Sequence, residues 1–345
     1  MFKNHRIAVI VPCFDVSPQA ADVILGIPEF VDHVIVVDDG SRDGLAAAVA
    51  RVKQPRVVIA VHPENRGLAR AMETGFRCAL ELGADIVVKM DGDGQMDPAQ
   101  LPRLLAPAVT GEADLVKGNR FLRPRHASGM SAGRLAGNLT LSLLTKLASG
   151  YWNVFDPTNG YLAVRRQLLE EVDLARLGPG YFFETSLLCE AYLVGAVARD
   201  VAIPARYNGE PSSLSIGRVL LTFPHLLARA WLRRLVIVHF IRGLTPVALF
   251  MLAGLLLAGF GLAFGGYHWM RNAQLARATP TGTIVLAVLP LLAGFQLLLQ
   301  AMVIDIASVP ARSPWRRARR GPRPGPRRRS ATAAGSRTAV VPRED

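Results

Sequence analysis

Apolar positions in the first two thirds of the chain fall in short runs. They read "RIAVIVP", "HVIVVDDGS", "RVVIAV", "ADIVVKMDGD" and "ADLVKGNRF". Most are rich in Val and Ile, and they stop at or next to Gly, Pro or acidic residues, as buried strands do. Between the third and fourth lies "LARAMETGFRCALELG", whose apolar residues recur at helical spacing. Strands alternating with helices predict an α/β domain with a mostly parallel sheet over residues 1–215. In such sheets the ligand crevice opens at the carboxyl ends of the strands.

The pattern then changes. Residues 216–243, "IGRVLLTFPHLLARAWLRRLVIVHFIRG", mix apolar residues with Arg218, Arg229, Arg233, Arg234 and Arg242. This predicts an amphipathic juxtamembrane segment, with an ordinary surface helix as the alternative. Two charge-free runs follow within residues 244–305, at about 244–264 and 281–304. At ~1.5 Å per residue each matches the hydrocarbon thickness of a bilayer, which predicts a two-helix transmembrane hairpin. Arg271 and Arg277 in the connection are outnumbered by the arginines on either side of the hairpin. The positive-inside rule therefore expects an integral inner-membrane protein with its globular domain and both termini in the cytoplasm.

Charge refines the ends of this picture. The formal net charge is +13 over 345 residues, and residues 310–345 hold 11 Arg against 2 acids. The stretch 306–345, rich in Arg and Pro, is expected to be disordered and to meet anionic membrane lipids. Trp315 is its one aromatic residue, so nucleic acid is not an expected partner. Cys13, Cys78 and Cys189 show no metal or redox spacing, in keeping with a reducing compartment. The opening "MFKNHRIAVIVP" reads as a strand rather than a signal peptide.

The candidate chemistry lies at two strand ends. "VVDDGSRDG" places Asp38 and Asp39 after an apolar run, and "MDGDGQMDP" does the same for Asp91 and Asp93. Like charges this close repel, so a positive group belongs beside them. Mg²⁺ or Mn²⁺ suits a D-x-D turn, because these hard cations take carboxylate oxygens together with substrate phosphates. Gln95 offers a further amide oxygen, and the glycines let a ligand approach the backbone.

With "VVDDGSRDG", "ENRGLARAMETGF", "KMDGDGQMDP", "KGNRF" and "DPTNGYLAVRR" in this order, the chain resembles family 2 glycosyltransferases of the GT-A fold. The terminal spans make it similar to their polyprenyl-phosphate glycosyltransferases. The resemblance implies a Rossmann-like GT-A catalytic domain that inverts the anomeric carbon of a hexose. The hexose would pass from a UDP- or GDP-linked nucleotide sugar to a polyprenyl phosphate. By motif position, Pro12, Phe14, Asp38, Asp39, Gly67 and Arg206 would bind the donor. Asp91, Asp93 and Gln95 would hold the metal, with Asp91 and Asp93 also on the donor diphosphate. Arg120, Arg134 and Asn138 would meet the acceptor phosphate. Asp156, Thr158 and Asn159 match a "D-x-T-S-G" stretch near the sugar, and Glu184 in "YFFETSLL" matches a carboxylate facing the site. The catalytic set implied is thus Asp91, Asp93, Asp156 and Glu184.

Two departures stand out. "PCFDV" replaces the family's P-x-Y-N-E, and Leu214 stands where a phosphate-binding lysine is common. Alternatives stay open: extension of a lipid-linked saccharide, or a membrane-tethered scaffold with weak catalysis. Assembly into a homo-oligomer is also open. Arg123 and Arg125 read as solvated, Asp114 and Asp200 as ordinary turn or helix-end acids, and His62 as a loop residue.

Overall fold

The computed structural model describes residues 1–122, 132–156, 159–204, 216–315 and 339–340. They form two compact units, Met1–Ala230 with Pro310–Asp345, and Trp231–Val309. The first is the α/β domain. Its strands are β1 (Ile7–Cys13), β2 (His33–Asp38), β3 (Val57–Val61), β4 (Ile86–Lys89), β5 (Leu115–Asn119), β6 (Leu162–Arg165), β7 (Ala198–Ala202) and β8 (Ala339–Val340). They lie in the order β7-β5-β6-β4-β1-β2-β3-β8.

Every pairing is parallel except those of β6, which runs antiparallel to both β4 and β5. The sheet is therefore mostly parallel, as the sequence pattern predicts. Since β6 is reversed on both sides, β5 still points the same way as β4. The carboxyl ends of β1, β2, β4 and β5 thus share one edge with the start of β6. The register sets Lys89 and Lys117 opposite Leu162 from either side, so both lysines lie in one row on one face.

Helices α1 (Ser17–Gly26), α2 (Leu45–Ala50), α3 (Leu68–Glu81), α4 (Leu101–Val109), α5 (Ala132–Ser149), α6 (Arg166–Glu171) and α7 (Phe183–Leu193) complete the domain. α3 buries Ala71, Met72, Gly75, Phe76 and Ala79, the stripe that its spacing predicts. α7 is buried along its whole length, so no polar face marks it in the sequence. The core is built from β1, β2 and β4 with residues of α1 and α4.

Helix α8 (Ile216–Leu235) begins in the first unit, where Phe223 and Leu227 pack on Ala148 and Phe182. The second unit holds the end of α8, a π-helical turn at Val236–Ile241, α9 (Pro246–Gln274) and α10 (Thr281–Ala307). α9 and α10 are both long and apolar enough to cross a membrane. They run past the charge-free stretches that predict them, because their ends carry polar residues with partners. Asp305, near the end of α10, accepts from Arg234 Nη1 at 2.6 Å and Nη2 at 2.9 Å, and lies 3.2 Å from His239 Nε2. His239 Nδ1 in turn bonds the Thr245 hydroxyl at 2.9 Å. A bidentate carboxylate on a buried guanidinium fixes the π-helical turn onto the hairpin.

Within the stretch expected to be disordered, Ser313 is buried in the first unit. Its hydroxyl donates to Asp114 Oδ1 at 2.8 Å. Residues 316–338 and 341–345 lie outside the described residues.

Candidate active site

The turn after β2 needs glycine at position 40. Its φ is +77°, and a Cβ there would stand 2.5 Å from the Glu64 carbonyl carbon. The loops after β2 and β3 are packed that closely, and together with Phe14 and Asp15 they enclose a cleft of about 650 Å³. Phe14 is 47% exposed, an aromatic face open to the cleft. Asp15 adopts a left-handed φ of 52°, accepts from the Arg42 N–H at 2.8 Å, and donates its own N–H to Ser41 Oγ at 3.1 Å. Replacing Gly40 by alanine should cost about 2 kcal/mol through the forbidden φ alone. It should also abolish nucleotide-dependent protection in thermal unfolding, and wild-type protection would contradict that assignment.

Asp38 and Asp39, adjacent in sequence, have separate jobs. Asp38 lines the cleft while its Oδ1 accepts from the Ser41 N–H at 2.8 Å. Asp39 is 4% exposed and lies behind the wall. Its Oδ1 takes His62 Nδ1 at 2.6 Å and the Arg66 N–H at 3.0 Å, and its Oδ2 takes the Gly67 N–H at 2.8 Å. His62 Nε2 reaches Thr74 Oγ1 at 2.9 Å. His62 does lie in the loop after β3, as expected, but it is buried there and links Asp39, at the end of β2, to α3. Pro12 is half-buried within β1.

The D-x-D turn follows β4. Asp91 and Asp93 are both half-buried there, and Gln95 is exposed. Asp93 Oδ1 accepts the Gln95 N–H at 3.0 Å, closing a local turn. Gly92 packs on Cys13 Sγ. Burial first, then Asp38 and Asp91, push the Cys13 thiol up to about 12, so it stays an inert thiol. The positive group that the acidic turn calls for comes from β4 itself. Lys89 Nζ donates to Asp91 Oδ1 at 2.6 Å and lies 3.1 Å from Glu184 Oε1, in the first turn of α7. Burial would lower the Lys89 ammonium, but Asp91 and Glu184 outweigh it and hold it above the usual lysine range.

A second buried lysine stands beside it. Lys117 Nζ donates to the Asn159 carbonyl at 2.7 Å. Burial brings its ammonium down to about 8, against the opposing pull of Glu184, Asp156 and Asp200. Asp156 itself is 1% exposed. It takes Arg120 Nε at 2.8 Å, Nη2 at 2.9 Å and the Arg120 N–H at 3.1 Å. The guanidinium expected at the acceptor phosphate thus has two of its donors on Asp156.

The reading of Asp200 as an ordinary turn or helix-end acid is corrected, since it lies within β7, while Asp114 does stand in the turn before β5. Asp114 is fully buried, bound by Arg165 Nη1, the Val197 N–H and Ser313. Asp200 Oδ2 takes Asn119 Nδ2 at 2.6 Å and the Phe155 N–H at 2.7 Å, and its Oδ1 is buried with no partner among the described residues. Burial pushes its carboxyl up to about 6, from 3.8. A raised folded value favours the native state below the unfolded one and loses that stabilisation as pH rises through about 6. Asp200→Asn should therefore stabilise the protein at pH 7 by roughly 2 kcal/mol relative to pH 4. Thermal unfolding at the two pH values checks this, and an equal effect at both would refute it.

Of the remaining expected residues, Arg134 and Asn138 lie in α5, with Asn138 half-buried. Thr158, Arg206, Leu214, Arg123 and Arg125 lie outside the described residues. The buried lysines escaped the sequence reading. The one signal was a lysine closing each of two otherwise apolar runs, "DIVVK" and "DLVK".

No group of three or more His, Cys, Asp or Glu side chains suited to a metal occurs among the described residues. The donor set fits Mg²⁺ or Mn²⁺ in a narrower sense. Asp91 and Asp93 supply hard oxygens, and Asp91 Oδ2 is not the oxygen bound by Lys89. A cation that brings the oxygens of a diphosphate suits two such carboxylates.

A family model described as glycosyl transferase family 2 matches residues 8–173. The chain is 32% identical to the undecaprenyl-phosphate mannosyltransferase of Micrococcus luteus, over 59% of this chain and 83% of that one. It is 35% identical to the polyprenol monophosphomannose synthase of Mycolicibacterium smegmatis, over 50% of this chain and 65% of that one. Among solved structures, glucosyl-3-phosphoglycerate synthase from Mycobacterium tuberculosis, in complex with Mn²⁺, UDP-glucose and phosphoglyceric acid, superposes with a TM-score of 0.50. The identity is 24%, over 67% of this chain and 80% of that one, a likeness in fold.

Proposed function

Because the chain belongs to glycosyl transferase family 2 and is a glycosyltransferase, we propose that it moves a hexose from a nucleotide sugar to a polyprenyl monophosphate at the cytoplasmic face of the membrane. The observation that carries this reading is the D-x-D turn of Asp91 and Asp93 in a chain that also holds two membrane-length helices. The two relatives named for polyprenol phosphates support the choice of acceptor.

The cleft beside Phe14, Asp15 and Asp38 takes the nucleoside, with the aromatic ring as a stacking face and the carboxylates as acceptors for its hydroxyl and N–H groups. A Mg²⁺ or Mn²⁺ ion held by Asp91 and Asp93, with Gln95 near, would stabilise the charge that builds on the departing nucleoside diphosphate. The acceptor phosphate is ionised near neutral pH and attacks the anomeric carbon without a strong general base. The protein's own work is therefore positioning and charge neutralisation. Glu184 is bound to Lys89 and Asp156 to Arg120, so both carboxylates fix cations beside the sugar site. Arg120, Arg134 and Asn138 serve the acceptor phosphate, and Arg206 the donor. The arginines of α8 other than the buried Arg234, and those of the tail, meet anionic head groups and keep the site at the depth where a lipid phosphate is presented.

The test uses purified protein in detergent with Mn²⁺ or Mg²⁺, a short polyprenyl phosphate and a panel of UDP- and GDP-sugars. Mass spectrometry should find one glycosylated monophosphate lipid. Transfer only to a lipid-linked saccharide, with every donor, would overturn the reading.

A further inference from the structure

Lys89 is a fixed positive charge in the floor of the D-x-D turn. Its side chain is 1% exposed, and its ammonium binds Asp91 Oδ1 at 2.6 Å and faces Glu184 Oε1 at 3.1 Å. Gly160 closes the remaining side: a Cβ there would collide with Lys89 Nζ and stand 2.8 Å from Asp91 Oδ2. The ammonium is thus held without solvent to take its place. Glu184 faces the ammonium from the side away from the turn, and Lys117 is buried in the same row of the sheet, opposite Leu162.

A divalent cation arriving alone meets two turn carboxylates with a lysine bound to one of them. Lys89 thus offsets part of the turn's negative charge and occupies one oxygen of Asp91. Mg²⁺ and Mn²⁺ shed water reluctantly, and a site so weakly charged holds them poorly. A nucleoside diphosphate adds several negative oxygens and changes the balance. We propose that Lys89 is a positioning residue and built-in counter-ion that makes metal uptake depend on the nucleoside diphosphate, so that ion and diphosphate enter together. This rests on reading Asp91 and Asp93 as the metal ligands.

The experiment is a Mn²⁺ titration of the full chain in detergent. Free Mn²⁺ is followed by electron paramagnetic resonance, without nucleotide and with UDP or GDP. Wild-type protein should bind Mn²⁺ at least about tenfold more tightly with one of the two nucleotides than without. Lys89→Met, similar in length but neutral, should bind Mn²⁺ alone about tenfold more tightly than wild type and lose most of the nucleotide dependence. A lysine that merely shapes the turn would give the opposite sign, with K89M binding the ion more weakly. Equal or weaker binding by K89M therefore overturns the proposal. So does a wild-type protein that holds Mn²⁺ as tightly alone as with either nucleotide, a result that needs no variant. Absence of Mn²⁺ binding in every state, beside metal-independent transfer, removes the metal reading and the proposal with it. Loss of transfer with the Mn²⁺ pattern intact would instead count against the acceptor assignment alone.

Discussion

Asp91→Asn is expected to lower turnover by about a thousandfold at saturating Mn²⁺. The substitution keeps the size of the side chain and leaves an oxygen that still accepts from Lys89, so the turn should keep its shape. What it removes is one of the two negative charges that, on the proposed function, would anchor the ion against the donor diphosphate. The ion would meet the diphosphate both in the bound donor and as it departs, so the loss should appear in kcat/KM, with both kcat and KM affected. The measurement is steady-state transfer with the preferred donor, over a Mn²⁺ series. Activity within tenfold of wild type would mean that Asp91 does not hold the metal.

Asp156→Ala is expected to cost about 3 kcal/mol of stability. It leaves the Arg120 guanidinium without the carboxylate that takes Nε and Nη2, and it strips the acceptor from the Arg120 N–H. An uncompensated, largely buried cation is what makes breaking such a pair costly. Replacing both partners together, as R120M/D156L, should recover much of the stability while activity stays lost. Denaturant unfolding of the three variants checks this. A cost below about 1 kcal/mol for D156A would show that the pair is solvated and dispensable.

Much of the parallel sheet was legible, because β1 to β5 are apolar runs closed by turn residues. β6 was not. At four residues, "LAVR" is too short to show a period, and its reversed direction is a property of its neighbours. α7 escaped for a related reason: buried on every side, it shows no amphipathic stripe. Asp91 and Asp93 could be found in the sequence because turn and chemistry are contiguous. The partners of the other buried polar residues come from distant positions. Arg120 and Asp156 are 36 residues apart, Asp39 and His62 are 23 apart, and Ser313 meets Asp114 across 199 residues. Nothing local marks such a pairing. A lysine at the end of an apolar run looks like the first residue of a loop, and only the strand register places Lys89 and Lys117 beside Leu162.

The contact of Ser313 with Asp114 also bears on biosynthesis. Asp114 is translated early, together with Arg165 and Val197 it has most of its hydrogen bonds, and it must wait for Ser313 until both apolar helices have been made. Nascent domains generally fold from the N-terminus as they emerge. Here Ser313 emerges only after α9 and α10, so both apolar helices are complete before this contact can form. A ribosome that stalls within α10 would leave a nascent enzyme with this hydroxyl still missing from its core.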